Sequence, residues 1–389
     1  MTPLQHPPRR ALRRRFPARI SASVVLGAIL LLATLPCLAV DTFSVAAALH
    51  QGRFAHSATL LNSGKVLVIG GATASSNLAS AELYDPVANN WTVSAGTLST
   101  ARFDHTATLL PSGKVLVVGG AFNATTLASA ELYDPATDLF SAVPALTTPR
   151  THHSATLLAS GLVLVAGGEN GTTKLQSFQL YNPASNTWSM QANAPNARDA
   201  HTATLLPSGY VILAGGRDTS NTPLAASLTY SPTSGWIGPT GALSTARFEH
   251  TATALSSGRV LVAGGYSAAP LASAEQYDPS SNAWSAAGTL AKARWTHTAT
   301  LLRDGQVLVT GGVDSSNAEI ASAERYQPGT NTWQGTAGPL ATARNQHSAT
   351  LLASGKVLIA GGTGPAPNYD DLTSCELYLP NVIFTSGFE

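Results

Sequence analysis

The sequence predicts an all-β protein built as a β-propeller, a closed ring of seven four-stranded blades. The first observation is a repeat: the segment RFDHTATLLPSGKVLVVGG, residues 102–120, returns in near-copies that begin at Arg53, Arg150, Arg198, Arg247, Arg294 and Arg344. The second is that every copy is followed by short apolar segments and turn signals in a common order. Repeats of about 50 residues with four strands each are typical of propeller blades.

Each repeat divides into four strand-like segments. In the second unit these are HTATLL, KVLVVGG, SAELYDP and DLFSAVPAL, separated by turn signals such as PSG and DPAT. Short apolar or alternating runs between Gly, Pro and Asp clusters indicate strands, and no segment has the length and period of an amphipathic helix. Each unit is therefore predicted to fold as one antiparallel sheet.

The composition agrees with one large all-β domain. The chain has 389 residues, of which 44% are hydrophobic, and it contains 34 Gly and 23 Pro. Gly and Pro mark turns between many short strands, and evenly spread apolar residues argue against disorder. We expect the propeller to cover residues 40–380 and a short C-terminal tail to cover residues 381–389.

Residues 1–39 differ from the rest of the chain. Several Arg precede the apolar run SVVLGAILLLATL, and small residues follow up to Ala39. This order is typical of a secretory signal peptide. It predicts cleavage after Ala39 and export to the periplasm or the extracellular space, without a membrane anchor. The alternative is an uncleaved anchor over residues 20–39, which are enough to span a bilayer.

Charge and cysteine content limit the function. The chain has 22 Lys and Arg against 21 Asp and Glu; residues 1–39 hold six of the Arg and no acid, which leaves 16 against 21, or about −5. A mildly acidic domain is not typical of nucleic-acid binding. Once Cys37 is removed, Cys375 has no partner for an intrachain disulfide. We expect a monomer that binds no nucleic acid.

The repeats resemble the Kelch family. In the Kelch pattern Gly-Gly ends the second strand, a Tyr follows about a dozen residues later, and a Trp follows the Tyr. The glycine pairs begin here at residues 70, 119, 167, 215, 264, 311 and 361. The tyrosines are Tyr84, Tyr133, Tyr181, Tyr230, Tyr277, Tyr326 and Tyr378. The Trp position holds Trp91, Phe140, Trp188, Trp236, Trp284 and Trp333. The resemblance covers residues 42–380 and implies a seven-bladed propeller.

The two ends of the repeat array predict how the ring closes. The seventh unit stops after CELYLP, without a last strand, whereas DTFSVAAALHQGR, residues 41–53, resembles a last strand that has no blade before it. Phe43 has the spacing to the next Arg that the Trp residues have elsewhere. We expect this N-terminal strand to complete the seventh blade. Phe384, which follows Tyr378, is the alternative occupant of the same position.

The repeated Arg and His are predicted to be structural. An active site needs groups in unlike environments, whereas sevenfold repetition provides like ones. We expect the His residues to form hydrogen bonds at the start of each innermost strand and the Arg residues to brace loops. One strand per blade also holds the His side chains too far apart for a shared metal. These histidines are His56, His105, His153, His201, His250, His297 and His347.

Five repeats carry a Glu two residues before the Tyr, at Glu82, Glu131, Glu275, Glu324 and Glu376. A recurrent Arg–Glu pair would explain these acids, and a solvated Glu on a strand face is the alternative. Gln179 and Leu228 replace the Glu in units three and four, so Arg198 of the fourth unit is predicted to lack that partner.

Strand parity places the variable residues on one face. In a four-stranded antiparallel blade, the loops after strands two and four emerge together. These loops contain the segments after Gly-Gly and the two middle residues of each Arg-x-x-His, all of which differ between repeats. Aromatic and polar side chains around a funnel are typical of a sugar or peptide site. The candidate ligand-binding residues are Phe54, Phe103, Asp104, His152, Asp199, Arg217, Phe248, Glu249, Trp295 and Gln346.

These observations predict an exported, non-enzymatic module that binds a glycan or a protein, with no cofactor and no metal. The first alternative is an enzyme. The resemblance to galactose oxidase implies copper and a Tyr–Cys crosslink, but the single Cys of the mature chain departs from it. Similarity to a periplasmic sialic acid mutarotase implies acid–base roles for Arg217, Asp104, His152 and Glu249. An intracellular adaptor, the other alternative, conflicts with the export signal.

Overall fold

The computed structural model describes residues 41–238 and 240–380, and the regular structure within them is entirely β. Twenty-eight strands form seven four-stranded antiparallel sheets, which confirms the propeller prediction. No helix in these two ranges is long and apolar enough to cross a bilayer. The predicted signal peptide and C-terminal tail, including Phe384, lie outside the described residues.

Each blade begins with two strands near the axis of the ring. The innermost strands of blades 1 to 7 are Ser57–Leu60, Thr106–Leu109, Ser154–Leu157, Thr202–Leu205, Thr251–Ala254, Thr298–Leu301 and Ser348–Leu351. The second strands are Val66–Ile69, Val115–Val118, Val163–Ala166, Val211–Ala214, Val260–Ala263, Val307–Thr310 and Val357–Ala360.

Two further strands extend each blade outward. The third strands are Ala81–Asp85, Ala130–Asp134, Phe178–Asn182, Ser227–Ser231, Ser273–Asp278, Ala323–Gln327 and Cys375–Leu379. The outermost strands of blades 1 to 6 are Asn90–Val93, Leu139–Val143, Thr187–Gln191, Gly235–Ile237, Ala283–Thr289 and Thr332–Gly335. Two short hairpins on the loops pair Ala121–Phe122 with Thr125–Thr126, and Glu169–Asn170 with Thr173–Lys174.

The core consists of the interfaces between neighbouring blades. The innermost strands contact one another in a closed cycle, with the first against the seventh. In each blade the second strand is completely buried, because both of its faces are covered by adjacent blades. Tyr84 and Trp91 of blade 1, for example, share one apolar cluster with Leu352 and Leu358 of blade 7. The variable loops are thus mounted on a rigid scaffold.

The N-terminal strand closes the ring, as the sequence predicts. Thr42–Ala46 pairs with the third strand of blade 7 along its full length, and Phe43 lies opposite Tyr378. Their ring centroids are 5.3 Å apart, close to the 5.0–5.4 Å of the Tyr–Trp and Tyr–Phe pairs in the other blades. Phe43 therefore takes the place of the missing Trp.

Each glycine pair is required because other parts of the chain pass too close to both glycines to leave room for a side chain. In blade 1, Gly70 and Gly71 both have positive φ, 60° and 93°. A Cβ on Gly70 would lie 2.6 Å from the carbonyl oxygen of Arg102 in the next blade, and one on Gly71 would lie 2.8 Å from Cβ of His56. A side chain at either position would therefore collide with the chain that leads into an innermost strand.

Candidate functional site

The repeat histidines form a hydrogen-bonded ring around the axis. Nε2 of each His shares a hydrogen bond of 2.8–3.0 Å with the Ser or Thr hydroxyl that begins the innermost strand of the preceding blade. Burial, and then the charge of the nearby Arg, lower the pKa of His105 to about 3, so it is neutral at physiological pH. These histidines form hydrogen bonds at the starts of the innermost strands, as expected, and the structure adds that these bonds link neighbouring blades. The variable residues remain the candidates for ligand binding.

The repeat arginines are fully buried and hold the ends of the second and third strands. Each donates to the carbonyl oxygen of the first glycine of its pair over 2.7–2.9 Å. The predicted Arg–Glu pairs are present within five blades at 2.8–3.0 Å. In blade 4, where Leu228 replaces the Glu, Nη2 of Arg198 has no partner among the described residues.

The loops after strands two and four meet on one face, as strand parity predicts. Two variable residues lie between the Arg and the His of each repeat. In every blade the first of them forms a β-bridge with the residue that follows Gly-Gly, for example Phe103 with Ala121 and Trp295 with Val313. The second variable residue has φ of 48–50° in all seven blades. In five blades its N–H donates to the carbonyl oxygen of the equivalent residue in the preceding blade, as that of Asp104 does to Ala55. The backbone here is constant, and only the side chains differ.

These second-position side chains line a cavity of about 320 Å³ at the mouth of the ring. Residues of six blades contribute to its wall, together with five of the repeat histidines. The variable residues that line it are Ala55, Asp104, His152, Glu249, Thr296 and Gln346. This volume is at the lower end of the range for small-molecule pockets, roughly 300–1,000 Å³.

A chain of ion pairs runs from the cavity along blades 2 to 4. His152 lies 3.2 Å from Asp104 and 3.1 Å from Glu169. Lys174 contacts the other oxygen of Glu169 and lies 3.0 Å from Asp199. Arg217 completes the chain with two contacts to Asp199, at 2.5 and 3.2 Å.

The pKa values show that the cavity end of this chain is charged at neutral pH. Burial alone would lower the pKa of His152, but hydrogen bonds to Asp104 and Glu169 outweigh it and raise the pKa to about 10. The hydrogen bond to His152 contributes most to lowering the pKa of Glu169 to about 2. Glu249 differs, because burial raises the pKa of its carboxyl group. The carboxyl group of Glu249 is thus more easily protonated than that of an ordinary glutamate.

An aromatic cluster adjoins the charged chain on blades 5 and 6. The ring of Tyr266 lies 5.5 Å from that of Phe248 and 5.2 Å from that of Trp295. The guanidinium group of Arg217 lies over Phe248, 4.8 Å from the ring centroid. All three rings are partly exposed. They form one aromatic cluster, in which Phe248 and Trp295 directly precede the cavity-lining residues Glu249 and Thr296.

The structure brings most of the predicted residues together. Asp104, His152, Glu249 and Gln346 line the cavity, while Arg217, Phe248 and Trp295 lie beside it. Asp199 is fully buried and orients Lys174 and Arg217 instead of facing solvent. Phe54 and Phe103 lie on blades 1 and 2, outside the aromatic cluster, and bridge to Ala72 and Ala121.

Besides Ala55 and Thr296 of the cavity wall, three residues that form ion pairs or ring contacts at the site were not among the sequence candidates: Glu169, Lys174 and Tyr266. Glu169 and Tyr266 directly follow Gly-Gly, at the position that Arg217 occupies in blade 4. Their alignment with Arg217 was the signal that would have found them. Lys174 carries no such signal, because its position depends on the short hairpin of blade 3.

His152, Glu169 and Asp199 also have the geometry of a metal cluster, since their ligand atoms lie within 4.8 Å of one another. However, the ammonium group of Lys174 contacts both Glu169 and Asp199 and already compensates their charge. A divalent cation would have to displace this buried Lys. The donor set therefore favours an ion-paired network over a metal centre.

Comparisons with known proteins agree with this architecture. The model of the KLHDC2/KLHL20/DRC7 Kelch-repeats domain matches residues 55–265 and 143–312, and the Kelch motif model matches residues 294–336. No curated protein matches the chain. Among solved structures, a fungal alcohol oxidase of the AA5 family in complex with copper is similar, with a TM-score of 0.72 and 17% identity over 88% of this chain and 76% of that chain.

A copper centre with a Tyr–Cys crosslink does not fit the described residues. Cys375 is buried in the apolar cluster between blades 7 and 1, where burial raises the pKa of its thiol to about 11. The cavity is lined by no Tyr and no Cys from the described ranges. Nε2 of each repeat histidine that lines the cavity is already hydrogen-bonded to a Ser or Thr hydroxyl group of a neighbouring blade. The likeness to the oxidase is therefore one of fold.

Proposed function

The chain belongs to the Kelch-repeat family, and from this premise we propose that it is an exported binding module that recognises a neutral carbohydrate. The observation that carries the proposal is the aromatic cluster of Phe248, Tyr266 and Trp295 beside a polar cavity of about 320 Å³. Rigid aromatic rings offer a large contact area for the apolar face of a sugar, while nearby polar groups select its hydroxyls.

The charges around the cavity support a neutral ligand. Each cation of the network is bound to a carboxylate, so no cation is left to pair with an acidic sugar. The three cations are His152, Lys174 and Arg217, and the three carboxylates are Asp104, Glu169 and Asp199. An incoming carboxylate would compete with buried Asp199 for Arg217, and separating that pair is costly. Sugar hydroxyls instead accept from and donate to such a network without displacing it.

A glycan array followed by calorimetry tests this proposal. We expect neutral glycans to bind and the double variant Phe248→Ala, Trp295→Ala to weaken binding at least about tenfold, since aromatic anchors dominate such contacts. Phe122→Ala is the matched control, because this Phe is exposed on blade 2 outside the cluster. If the array binds only acidic sugars, or if the double variant binds as well as Phe122→Ala, the proposal is wrong.

A sugar mutarotase is the second candidate, and Glu249 favours it. Its carboxyl group lines the cavity with Asp104 and His152, and burial raises its pKa. A carboxyl group with a raised pKa is suited to transfer a proton to a ring oxygen. Magnetisation exchange between sugar anomers, followed by NMR with the wild type and Glu249→Gln, tests this activity. An exchange rate equal to that of the buffer excludes it for the sugars assayed.

Export is a separate part of the proposal and depends on residues 1–39. The Arg-rich start and the apolar run that ends before Ala39 support it. Expression of the full chain, cell fractionation and N-terminal sequencing of the mature protein provide the test. We expect a soluble exported species that begins at Val40. Recovery of the intact N-terminus in the membrane fraction would favour an anchor instead.

A further inference from the structure

A second cavity lies on the opposite face of the propeller, in the groove between blades 6 and 7. Its volume is about 680 Å³, and Leu302 and Pro380 contribute apolar walls. Equivalent grooves between blades 2 and 3 and between blades 4 and 5 have volumes of about 490 Å³ each. Grooves of this kind are thus part of the architecture, but this one is larger.

At six positions that line this groove, blade 6 carries a polar or charged residue that no other blade has at the equivalent position. Arg303 stands where blades 3 and 7 have Ala, and Asp304 stands where every other blade has Ser. Arg325 replaces the Leu found in four blades. The full set is Arg303, Asp304, Gln306, Arg325, Gln327 and Gln334. Because the blades are otherwise close copies, this convergence of polar side chains in one groove indicates a specific role.

The groove contains two acceptors, the carboxylate of Asp304, which accepts from the backbone N–H of Gln306 over 3.0 Å, and Oε1 of Gln327; its other side-chain groups are mainly donors. Arg325 is 8% exposed; its Nη1 donates to Oε1 of Gln306 over 3.0 Å, and its Nη2 pairs with Asp41. Nε of Arg325 is buried and has no partner among the described residues. Gln327 donates to Oε1 of Gln334 over 2.6 Å. Since Arg only donates, Gln306 must turn its oxygen towards it, and its NH₂ group faces the groove as a donor.

A structural role explains only part of this cluster. The pair of Arg325 with Asp41, which also accepts from Tyr378, ties blade 6 to the N-terminal strand. It does not account for Arg303 and Gln334, which are exposed. Arg303 donates to the carbonyl oxygen of Ala353 through Nη2 alone. Its other nitrogens have no partner within the described ranges.

We propose that the groove between blades 6 and 7 is a binding site for a small organic carboxylate. A carboxylate only accepts hydrogen bonds, and it matches the donors that this groove leaves free, which are the guanidinium group of Arg303 and the amides of Gln306 and Gln334. Arg325 holds Gln306 in place and is itself paired with Asp41. The apolar walls contact the carbon skeleton of the ligand. This site is on the opposite face from the proposed carbohydrate site and does not depend on it.

Calorimetry with succinate and citrate as probes, and with succinamide as the uncharged isostere, tests the proposal on the full chain. We expect at least one carboxylate to bind saturably and succinamide to bind at least about tenfold more weakly, because charge-assisted hydrogen bonds are roughly twice as strong as neutral ones. The triple variant Arg303→Ala, Gln306→Leu, Gln334→Ser is expected to weaken carboxylate binding by a similar factor or more.

The triple variant is chosen to fold, because each new residue already occupies the equivalent position in another blade: Ala159, Leu162 and Ser189. Lys114→Gln, in the groove between blades 2 and 3, is the matched control and should bind like the wild type. Phe248→Ala, Trp295→Ala should also retain carboxylate binding, which separates this site from the carbohydrate site. If neither carboxylate binds the wild type, or if the triple variant with an unchanged melting temperature binds equally well, the proposal is overturned.

Discussion

The buried arginine of each blade shows how a single residue position sets local stability. A guanidinium group in the interior is costly unless its donors are satisfied. Five blades satisfy it with a Glu, which also accepts from the backbone of the loop that enters the blade, as Glu131 does from Ser99. Blades 3 and 4 lack this Glu, and burial lowers the pKa of both Arg150 and Arg198 to about 10. Nη2 of Arg150 still donates to Ser177, whereas Nη2 of Arg198 has no partner among the described residues. Blade 4 is therefore expected to be the least stable part of the ring.

Restoring the acid should stabilise blade 4. We expect Leu228→Glu to raise the free energy of unfolding by about 1 kcal/mol or more, since pairing a buried charge is worth about 3–5 kcal/mol and burial of a Leu about 1.5–3 kcal/mol. Leu228→Gln, which copies Gln179 of blade 3, is the control without the charge. Urea unfolding measures both variants. Equal destabilisation by the two would show that no ion pair forms with Arg198.

Among the elements, the N-terminal strand has a role that depends on the far end of the chain. Thr42–Ala46 pairs with a strand more than 330 residues later in the chain, as the hydrogen bond between Ser44 and Leu377 illustrates. It completes blade 7 by covering the edge of Cys375–Leu379 that would otherwise be unpaired. Closure by the two ends of one chain also makes unfolding of the ring cooperative, because no blade can separate without breaking two interfaces.

Two substitutions on this strand separate a packed side chain from an exposed one. We expect Phe43→Ala to lower the free energy of unfolding by about 3 kcal/mol, because it removes an aromatic ring packed on Tyr378. Val45→Ala is the matched control on the same strand, since this Val is 79% exposed, and it should change stability by less than about 0.5 kcal/mol. Chemical unfolding measures both. Similar losses for the two variants would contradict the proposed packing.

At the scale of the whole molecule, the ring of repeat histidines makes stability depend on pH. These residues are neutral when folded: the pKa of His56, His105, His201 and His297 is lowered to about 3. A lowered pKa contributes stability that is present above the unfolded pKa, about 6.5, and is lost as the pH falls towards the folded pKa. His153, His250 and His347 are shifted in the same direction.

The free energy of unfolding should therefore fall steeply below pH 6.5. Each buried His that takes up a proton on unfolding contributes about 1.4 kcal/mol per pH unit. We expect urea unfolding between pH 6.5 and pH 5 to show the uptake of several protons. His105→Gln, which retains a hydrogen-bonding group, should reduce that uptake by about one. If the slope of the free energy of unfolding against pH is the same in this variant as in the wild type, His105 is not buried as a neutral group.

The sequence by itself determined the architecture of this protein. Seven in-register copies specify seven blades, the spacing of Phe43 specifies how the ring closes, and strand parity specifies which loops share a face. The repeat also separates scaffold from variable residues, and it predicted both the Arg–Glu pairs and their loss at Arg198. These inferences succeed because they depend on local periodicity and on positions that every blade repeats.

The tertiary structure alone decided which variable residues meet. The contacts of Lys174 with Asp199, of Arg217 with Phe248 and of Tyr266 with Trp295 each join neighbouring blades. Within one repeat nothing specifies such a contact, because it depends on the angle between blades and on the height of each loop. The groove that contains Arg325 also could not be predicted from one repeat, because residues of two adjacent blades line it. The repeat determines the blade, and the packing of adjacent blades determines the sites.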